Sequence, residues 1–294
     1  FTPHMPKLNT ENPDVQDYLL KIARYWIEEF DIDAWRLDVA NEVSHHFWKK
    51  FRQACDDAKD DFYILGEIWH SSQRWLQGDE FHAVMNYAFT DAIIEYFVKD
   101  EISMTKMVSE LNNQLMLYRE QTNQVQFNIL DSHDTPRLLT LARGDKDLMR
   151  QVMAFTYLQQ GVPCLYYGDE IGLTGDMDPD CRKCMIWEEE KQDRDLLHFT
   201  RSLISIRKDN QKVLSEGSLS WNWVSEEDGL IIFERELGAQ RIIGIFNTGD
   251  DQITLSRPDS ILMEQFVQLE DETMIIDNKG FAIVKVNNEE SNEA

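Results

Sequence analysis

Basic residues are scarce in this chain. Its 294 residues hold 29 Lys and Arg against 54 Asp and Glu, a formal net charge of −25. Such a surface repels phosphate backbones and anionic membranes, which argues against nucleic acid and membranes as partners, while a neutral polymer meets no such penalty. Most of these charges serve solubility, and only a handful can be chemical. Cysteine is also sparse. Cys55, Cys164, Cys181 and Cys184 form no disulfide framework over this length and suit a reducing cytoplasm, the expected compartment. Cys181 and Cys184 have the spacing of half a zinc site, but no second Cys or His pair completes the four ligands, so no metal is expected there. No apolar run is long enough to cross a bilayer, and no signal peptide leads the chain. The latter point has little weight in a sequence that begins with Phe1.

Apolar material, by contrast, is plentiful. Hydrophobic residues make up 42% of the sequence, with 8 Trp, 15 Phe and 9 Tyr, enough for a large core and a second domain. Residues 1–12 read as loop. Apolar spacing from Val15 to Ile27 predicts a helix over 14–30, followed by a short buried strand over 32–39. A second helix over 44–59 leads into a strand over 62–67. Further strands are expected over 83–87, 125–130 and 162–167, with a long helix over 89–119 and others over 145–160 and 191–208. Strands alternating with helices imply parallel βα units. Beyond Val213 the pattern changes to short strands over 219–224, 229–235, 240–246, 252–255 and 280–286, with turn signals at 247–249 and 277–280. The expected architecture is therefore α/β. About five βα units, the C-terminal part of a (β/α)8 barrel, occupy residues 1–212, and an all-β sandwich domain occupies 213–294, ending in a polar tail from 287. An eight-stranded barrel needs roughly 250 residues, so three strands are expected upstream of Phe1, the alternative being that a partner chain supplies them.

Carboxylates stand where such a barrel carries chemistry, at or just after the C-terminal ends of strands: Asp38, Glu67 and Asp134. Cleaving a glycosidic bond with retention takes two carboxyl groups flanking the bond, one attacking carbon and one donating a proton. Arg36 lies two residues before Asp38, on the same face of an extended strand, where it would keep Asp38 ionised and oriented. Glu67 ends an apolar strand, where partial burial favours the protonated form that an acid needs. His133 and Asp134 could hold sugar hydroxyls, with the Asp134 charge favouring an oxocarbenium-like transition state. Asp134, placed before Thr135 and Pro136, also reads as a helix N-cap.

These residues lie in segments that resemble the α-amylase superfamily, glycoside hydrolase family 13. Asp33-Ala34-Trp35-Arg36-Leu37-Asp38-Val39-Ala40-Asn41-Glu42, Gly66-Glu67-Ile68-Trp69-His70 and Phe127-Asn128-Ile129-Leu130-Asp131-Ser132-His133-Asp134 resemble three of its signature segments. Met5-Pro6-Lys7-Leu8-Asn9 resembles a fourth, in the form of neopullulanases, cyclomaltodextrinases and maltogenic amylases. Gly161–Glu170 looks like the last barrel strand, and Asp178–Met185 points to the same subgroup. The resemblance implies Asp38 as nucleophile, Glu67 as acid/base and Asp134 as transition-state stabiliser, with Arg36 and His133 supporting them. It further implies Trp69 as an acceptor-side platform, Glu42 on the acceptor side, Asp178 and Arg182 as a donor-side pair, and Asn9, with Lys7 and Met5, in linkage preference. The expected reaction is hydrolysis of α-1,4 and α-1,6 glucosidic bonds in cyclodextrins, pullulan or maltooligosaccharides, with transglycosylation beside it.

No organic cofactor is implied. Calcium occurs in the superfamily, but no loop here has Asp and Asn at ligand spacing. The superfamily's first signature, Asp-x-x-x-Asn-His, is absent from these residues, as is the N-terminal domain through which the subgroup forms homodimers. These residues alone are therefore expected to be poorly active. Two alternatives are an oligo-1,6-glucosidase and a non-catalytic amylase-like carbohydrate-binding scaffold. The segment at 5–9 argues against the first, and the intact set of carboxylates against the second.

Overall fold

The computed structural model describes residues 4–287. The expected polar tail lies outside them, apart from the backbone of Asn287. Contacts divide the chain into two compact units, residues 1–88 with 115–127, and residues 89–114 with 128–294.

The first unit begins with helix α1 (Pro13–Phe30). Asn12 starts it by accepting hydrogen bonds from the backbone N–H groups of Asp14 and Val15, and Pro13 fits the first turn, where no N–H is needed. Asp31 ends it in the left-handed region. Strand β1 (Ala34–Leu37), helix α2 (His45–Ala58), β2 (Tyr63–Gly66) and β3 (Ala83–Val84) follow. Ser44 caps α2 through the Phe47 N–H. The three strands form a parallel sheet in the order β1-β2-β3, with Leu37 opposite Gly66 and Leu65 opposite Ala83. A parallel bridge joins Met85 to Phe127, the first residue of β4 (Phe127–Ile129). The core of this unit is aromatic: Phe47, Trp48, Phe51, Phe62, Trp75 and Phe81 pack with Ile27, Ile64 and Ile68.

The second unit takes in β4's end, α6 (Leu138–Leu141), α7 (Lys146–Leu158), β5 (Val162–Cys164), α8 (Arg194–Asp209) and α9 (Gln211–Glu216). Strand β5 pairs with β4. The expected helix over 89–119 is interrupted. α3 (Tyr87–Ile93) runs into a π-turn at Ile94–Val98, and α4 (Met104–Leu117) starts afresh after Asp100, whose φ is +55°. A short α5 (Glu120–Asn123) precedes β4. The boundary expected at 212/213 falls inside α9, before the sheet begins at Ser218.

That sheet is antiparallel and joins six strands: β6 (Ser218–Ser225), β7 (Leu230–Leu237), β8 (Gln240–Asn247), β9 (Ile253–Ser256), β10 (Ile261–Leu269) and β11 (Thr273–Asn287). Alternation sorts its side chains into two faces. Ile231, Phe233, Ile242, Phe246, Phe281 and Ile283 join the core built around α7. Leu230, Ile245, Ala282 and Val284 cluster instead with Met274 and Ile276. α7 is buried almost all round from Met149 to Leu158, as a central helix must be. Gly244 of β8 allows the approach, because a Cβ there would stand 2.9 Å from Leu158 Cδ1 and from the Phe233 ring. Strand β10 was not foreseen, and the turn expected at 277–280 is a bulge within β11. Four residues there face Phe266 alone, and Phe266 and Lys279 both have positive φ.

Phe155 on α7 meets Phe97 at a tilt and Phe233 and Phe246 edge-on, at 5.0–5.4 Å between centroids, with no exposed surface. Phe155→Ala should cost about 3–5 kcal/mol of stability by urea unfolding. A loss below about 1 kcal/mol would show that this ring cluster does not hold the second unit together.

Candidate active site

Parallel register places the first pair of candidate residues. Leu37 and Gly66 are partners at the strand ends, so Asp38 and Glu67 leave β1 and β2 side by side. The Glu67 N–H donates to the Leu37 carbonyl at 2.9 Å, and the Ala40 N–H donates to the Glu67 carbonyl at 3.1 Å. Between these bonds the chain turns through Val39 with φ +46°, a costly conformation for a β-branched residue. The turn aims the Val39 N–H at Glu67 Oε2, 2.9 Å away.

Arg36 projects from β1 on the side of Asp38, as alternation predicts. Its Nη1 donates to Asp38 Oδ1, and its Nη2 lies 2.8 Å from Glu67 Oε1. One guanidinium thus bridges both carboxylates. Their surroundings differ sharply: the Asp38 side chain is 73% exposed and that of Glu67 only 5%. Trp69, two residues on, stacks on Tyr87 with centroids 3.8 Å apart and planes 6° apart. Tyr87 is buried while Trp69 remains half exposed, so one indole face is fixed and the other is open. Glu42 lies in a short turn at Ala40–Glu42. Its carboxylate accepts from Asn41 Nδ2 at 3.1 Å, and its main-chain carbonyl accepts from Lys7 Nζ. Asn9 is exposed, and its side-chain oxygen is used locally by the Glu11 N–H at 3.1 Å. Met5 is exposed as well.

The second unit gathers His133, Asp134, Asp178 and Arg182. Asp134 Oδ1 accepts from Arg182 Nη2 at 2.9 Å, and Asp134 Oδ2 lies 3.2 Å from His133 Nε2. Arg182 Nε donates to the His133 carbonyl at 2.9 Å and stands 2.8 Å from Asp178 Oδ1. Cys181 Sγ donates to that same carbonyl at 3.1 Å. Cys181 is buried and Cys184 exposed, so the two thiols face different surroundings. The N-cap reading of Asp134 does not hold. α6 begins at Leu138, and Asp131 Oδ2 caps it by accepting the Leu138 N–H at 2.6 Å. Three participants were not anticipated: the Val39 N–H, Tyr87 beneath Trp69, and Asp131. Only Asp131 left a signal, as a second carboxylate beside His133.

A family model described as the alpha amylase catalytic domain matches residues 1–213. The chain belongs to the alpha-amylase family. Among curated relatives it is 56% identical over 250 residues to the intracellular maltogenic amylase of Bacillus subtilis, covering 85% of this chain and 42% of that protein. Neopullulanase 2 of Thermoactinomyces vulgaris is 44% identical over 254 residues, covering 86% of this chain and 43% of that protein. A solved cyclomaltodextrinase structure superposes with a TM-score of 0.88 at 43% identity, over 98% of this chain and 51% of that one. The chain thus spans less than half the length of the curated relatives it matches. These likenesses agree with a late-barrel piece followed by a β domain. No helix among the described residues is long and apolar enough to cross a membrane.

Removing Arg36 would leave Glu67 buried without its cation. Breaking a buried ion pair costs about 3–5 kcal/mol. Arg36 itself is about one-third exposed, so solvent screening reduces the expected loss for Arg36→Leu to about 1–3 kcal/mol. Chemical denaturation of the 294-residue chain measures it, and an unchanged midpoint would mean that the bridge contributes nothing to folding.

Proposed function

We propose that the protein is a retaining α-glucan hydrolase in which Asp38 is the nucleophile and Glu67 the general acid/base. The observation that carries this reading is the Arg36 guanidinium bridging two carboxylates at the C-terminal ends of adjacent parallel strands. Glu67 donates its proton to the glycosidic oxygen as Asp38 attacks the anomeric carbon, giving a covalent glycosyl-enzyme. Glu67, now a base, then takes a proton from the water that releases the sugar. The enclosure of Glu67 suits a group that exchanges a proton away from bulk water.

Asp134 is assigned to stabilise positive charge on the sugar, with His133 hydrogen-bonding the same ring. Arg182 and Asp178 hold the donor end, Trp69 offers its open face to the acceptor, and Glu42 and Asn9 shape acceptor and linkage preference. The substrates proposed are α-1,4-linked maltooligosaccharides, cyclodextrins and pullulan, with α-1,6 links and transfer to sugar acceptors as further outcomes. The relatives named maltogenic amylase, cyclomaltodextrinase and neopullulanase support this range. The chemistry requires no organic cofactor, and no calcium is assigned to these residues. A cytoplasmic setting is supported by the intracellular relative and by the free cysteines among the described residues. A homodimer of the full-length protein belongs to the same proposal.

The test is Glu67→Gln in the full-length protein. Hydrolysis of maltooligosaccharides should fall by roughly 10²–10⁴-fold, the usual worth of a general acid. Glycosyl fluorides, whose leaving group needs no proton, should lose far less. Equal losses on both substrates would remove Glu67 from the acid role, and unchanged hydrolysis would remove it from the mechanism.

A further inference from the structure

Two carboxyl groups close to His133 and Asp134 have no part in the reaction above. Asp131 follows β4, and Asp169 lies just past β5, after Gly168; they are only 2% and 3% exposed. Asp131 caps α6, as described. Asp169 Oδ1 accepts from Arg137 Nη1 at 3.1 Å, and Arg137 is wholly buried. Both carboxyls line one small, nearly closed cavity with Tyr157 and Cys164, close enough to act on each other directly. Ionised carboxylates only accept, so two of them facing each other in such a cavity can be joined only by a proton on one. With that proton the cluster holds one negative and one positive charge. Without it, two negative charges share a single buried guanidinium, an arrangement that burial penalises strongly.

Burial, the largest cause, lifts both groups above the usual carboxylate range, Asp169 well above it, where the charge of Asp131 adds to the effect. Groups facing the pair from other elements do not replace the missing charge. Burial pushes Cys164 on β5 up to about 11 and Tyr157 on α7 up to about 12, so both are neutral at pH 7. Glu170 is occupied by the Gly168 N–H at 2.8 Å. Arg207, which faces Tyr157, spends its donors on the carbonyls of Tyr157, Gln159 and Gly161.

The cluster is wired to the candidate site. Arg137 donates through Nε to the Cys181 carbonyl at 3.0 Å and through Nη1 to the Tyr167 carbonyl at 2.7 Å. Cys181 in turn donates to the His133 carbonyl, and its neighbour Arg182 binds Asp134. We propose that Asp131 and Asp169 share a single proton at neutral pH and act, through Arg137 and Cys181, as positioning residues for His133, Asp134 and Arg182. The positioning half rests on the reading of Asp134 as a substrate-facing group; the shared proton does not.

The sign of the pH effect follows from proton counting. Unfolded Asp titrates near 3.9, while the folded pair keeps one proton well above that. Over that interval the native state binds one more proton, so stability falls as pH rises, about tenfold in the folding equilibrium constant per pH unit. In Asp169→Asn the amide can donate to Asp131 with no proton to lose, and in Asp131→Asn the roles reverse. Denaturant unfolding of this chain between about pH 5 and 7 should therefore show a dependence flatter by about one proton in each variant. An unchanged slope in both overturns the shared proton. Should the variants not fold, the parent still decides by infrared spectroscopy. A protonated-carboxyl carbonyl stretch at pH 7 that remains in Glu67→Gln supports the proposal, and its absence overturns it. Unfolding requires no catalysis, so this result stands apart from the glycosidase reading. For positioning, Asp169→Asn in the full-length protein should extend the alkaline limb of kcat/KM to higher pH, whereas Asp169→Ala should raise KM. An unmoved limb overturns the positioning role.

Discussion

The Arg36 guanidinium is the constraint on which the first half of the site depends. Parallel pairing of β1 with β2 places Asp38 and Glu67 at adjacent strand ends, and two like charges there would repel. Arg36 reaches both, because it sits two residues before Asp38 on the same face. A slip of one residue in β1 would turn Arg36 to the opposite face and take Asp38 with it. The strained backbone at Val39 belongs to the same arrangement, for it aims an N–H at Glu67 that an ordinary turn would direct elsewhere. Strain of roughly 1–3 kcal/mol persists only where neighbouring bonds over-determine it, and the bonds at Glu67 and Ala40 on either side do so.

Much of this architecture was legible because it is written in short-range signals. The helices α1, α2, α7 and α8 begin where Asn12, Ser44, Asp145 and Asp193 offer side-chain oxygens to the first turn. The five barrel-type strands lie inside the apolar runs that predicted them. Misreadings cluster where one local rule interrupts another. The break near Asp100 sits in a stretch whose apolar spacing remains helical throughout; Ser103, which accepts the Lys106 N–H at 3.1 Å, was the overlooked signal for a new start. Strand β10 escaped because its bulge at Phe266 reverses the alternation midway, so neither half is long enough to show a period of two.

The site divides along the same line. The candidate site residues could be found because they follow strands, and strands are local. Near partners such as Arg36 for Asp38 could be found too, but partners far along the chain could not. Arg182 holds Asp134 across 48 residues of sequence, and Arg137 reaches Asp169 across 32. The ambiguity over Asp134 shows what the missing information was. Sequence offered two carboxylates ahead of α6 and no means of dividing the labour between them. In the structure Asp131 is buried and spends one oxygen on the helix start, which leaves Asp134 to the cationic side chains of His133 and Arg182 at the more open end of the turn.

That division repeats a pattern seen at Arg36. In each pair one carboxyl is enclosed, Glu67 or Asp131, and the other lies nearer to solvent, Asp38 or Asp134. Residue type cannot create the difference, since three of the four are aspartates. Depth relative to the strand end, and the donors each carboxyl meets there, can. Asp38 extends beyond the sheet, whereas Glu67 is drawn back under the Val39 amide. Asp134 lies past the turn that Asp131 closes from beneath. For the reaction proposed for Asp38 and Glu67, in which one carboxyl reaches carbon and the other carries a proton, unequal environments are the requirement. At both strand ends a backbone N–H, that of Val39 or Leu138, engages the inner member, while the outer one meets a cationic side chain, Arg36 or Arg182.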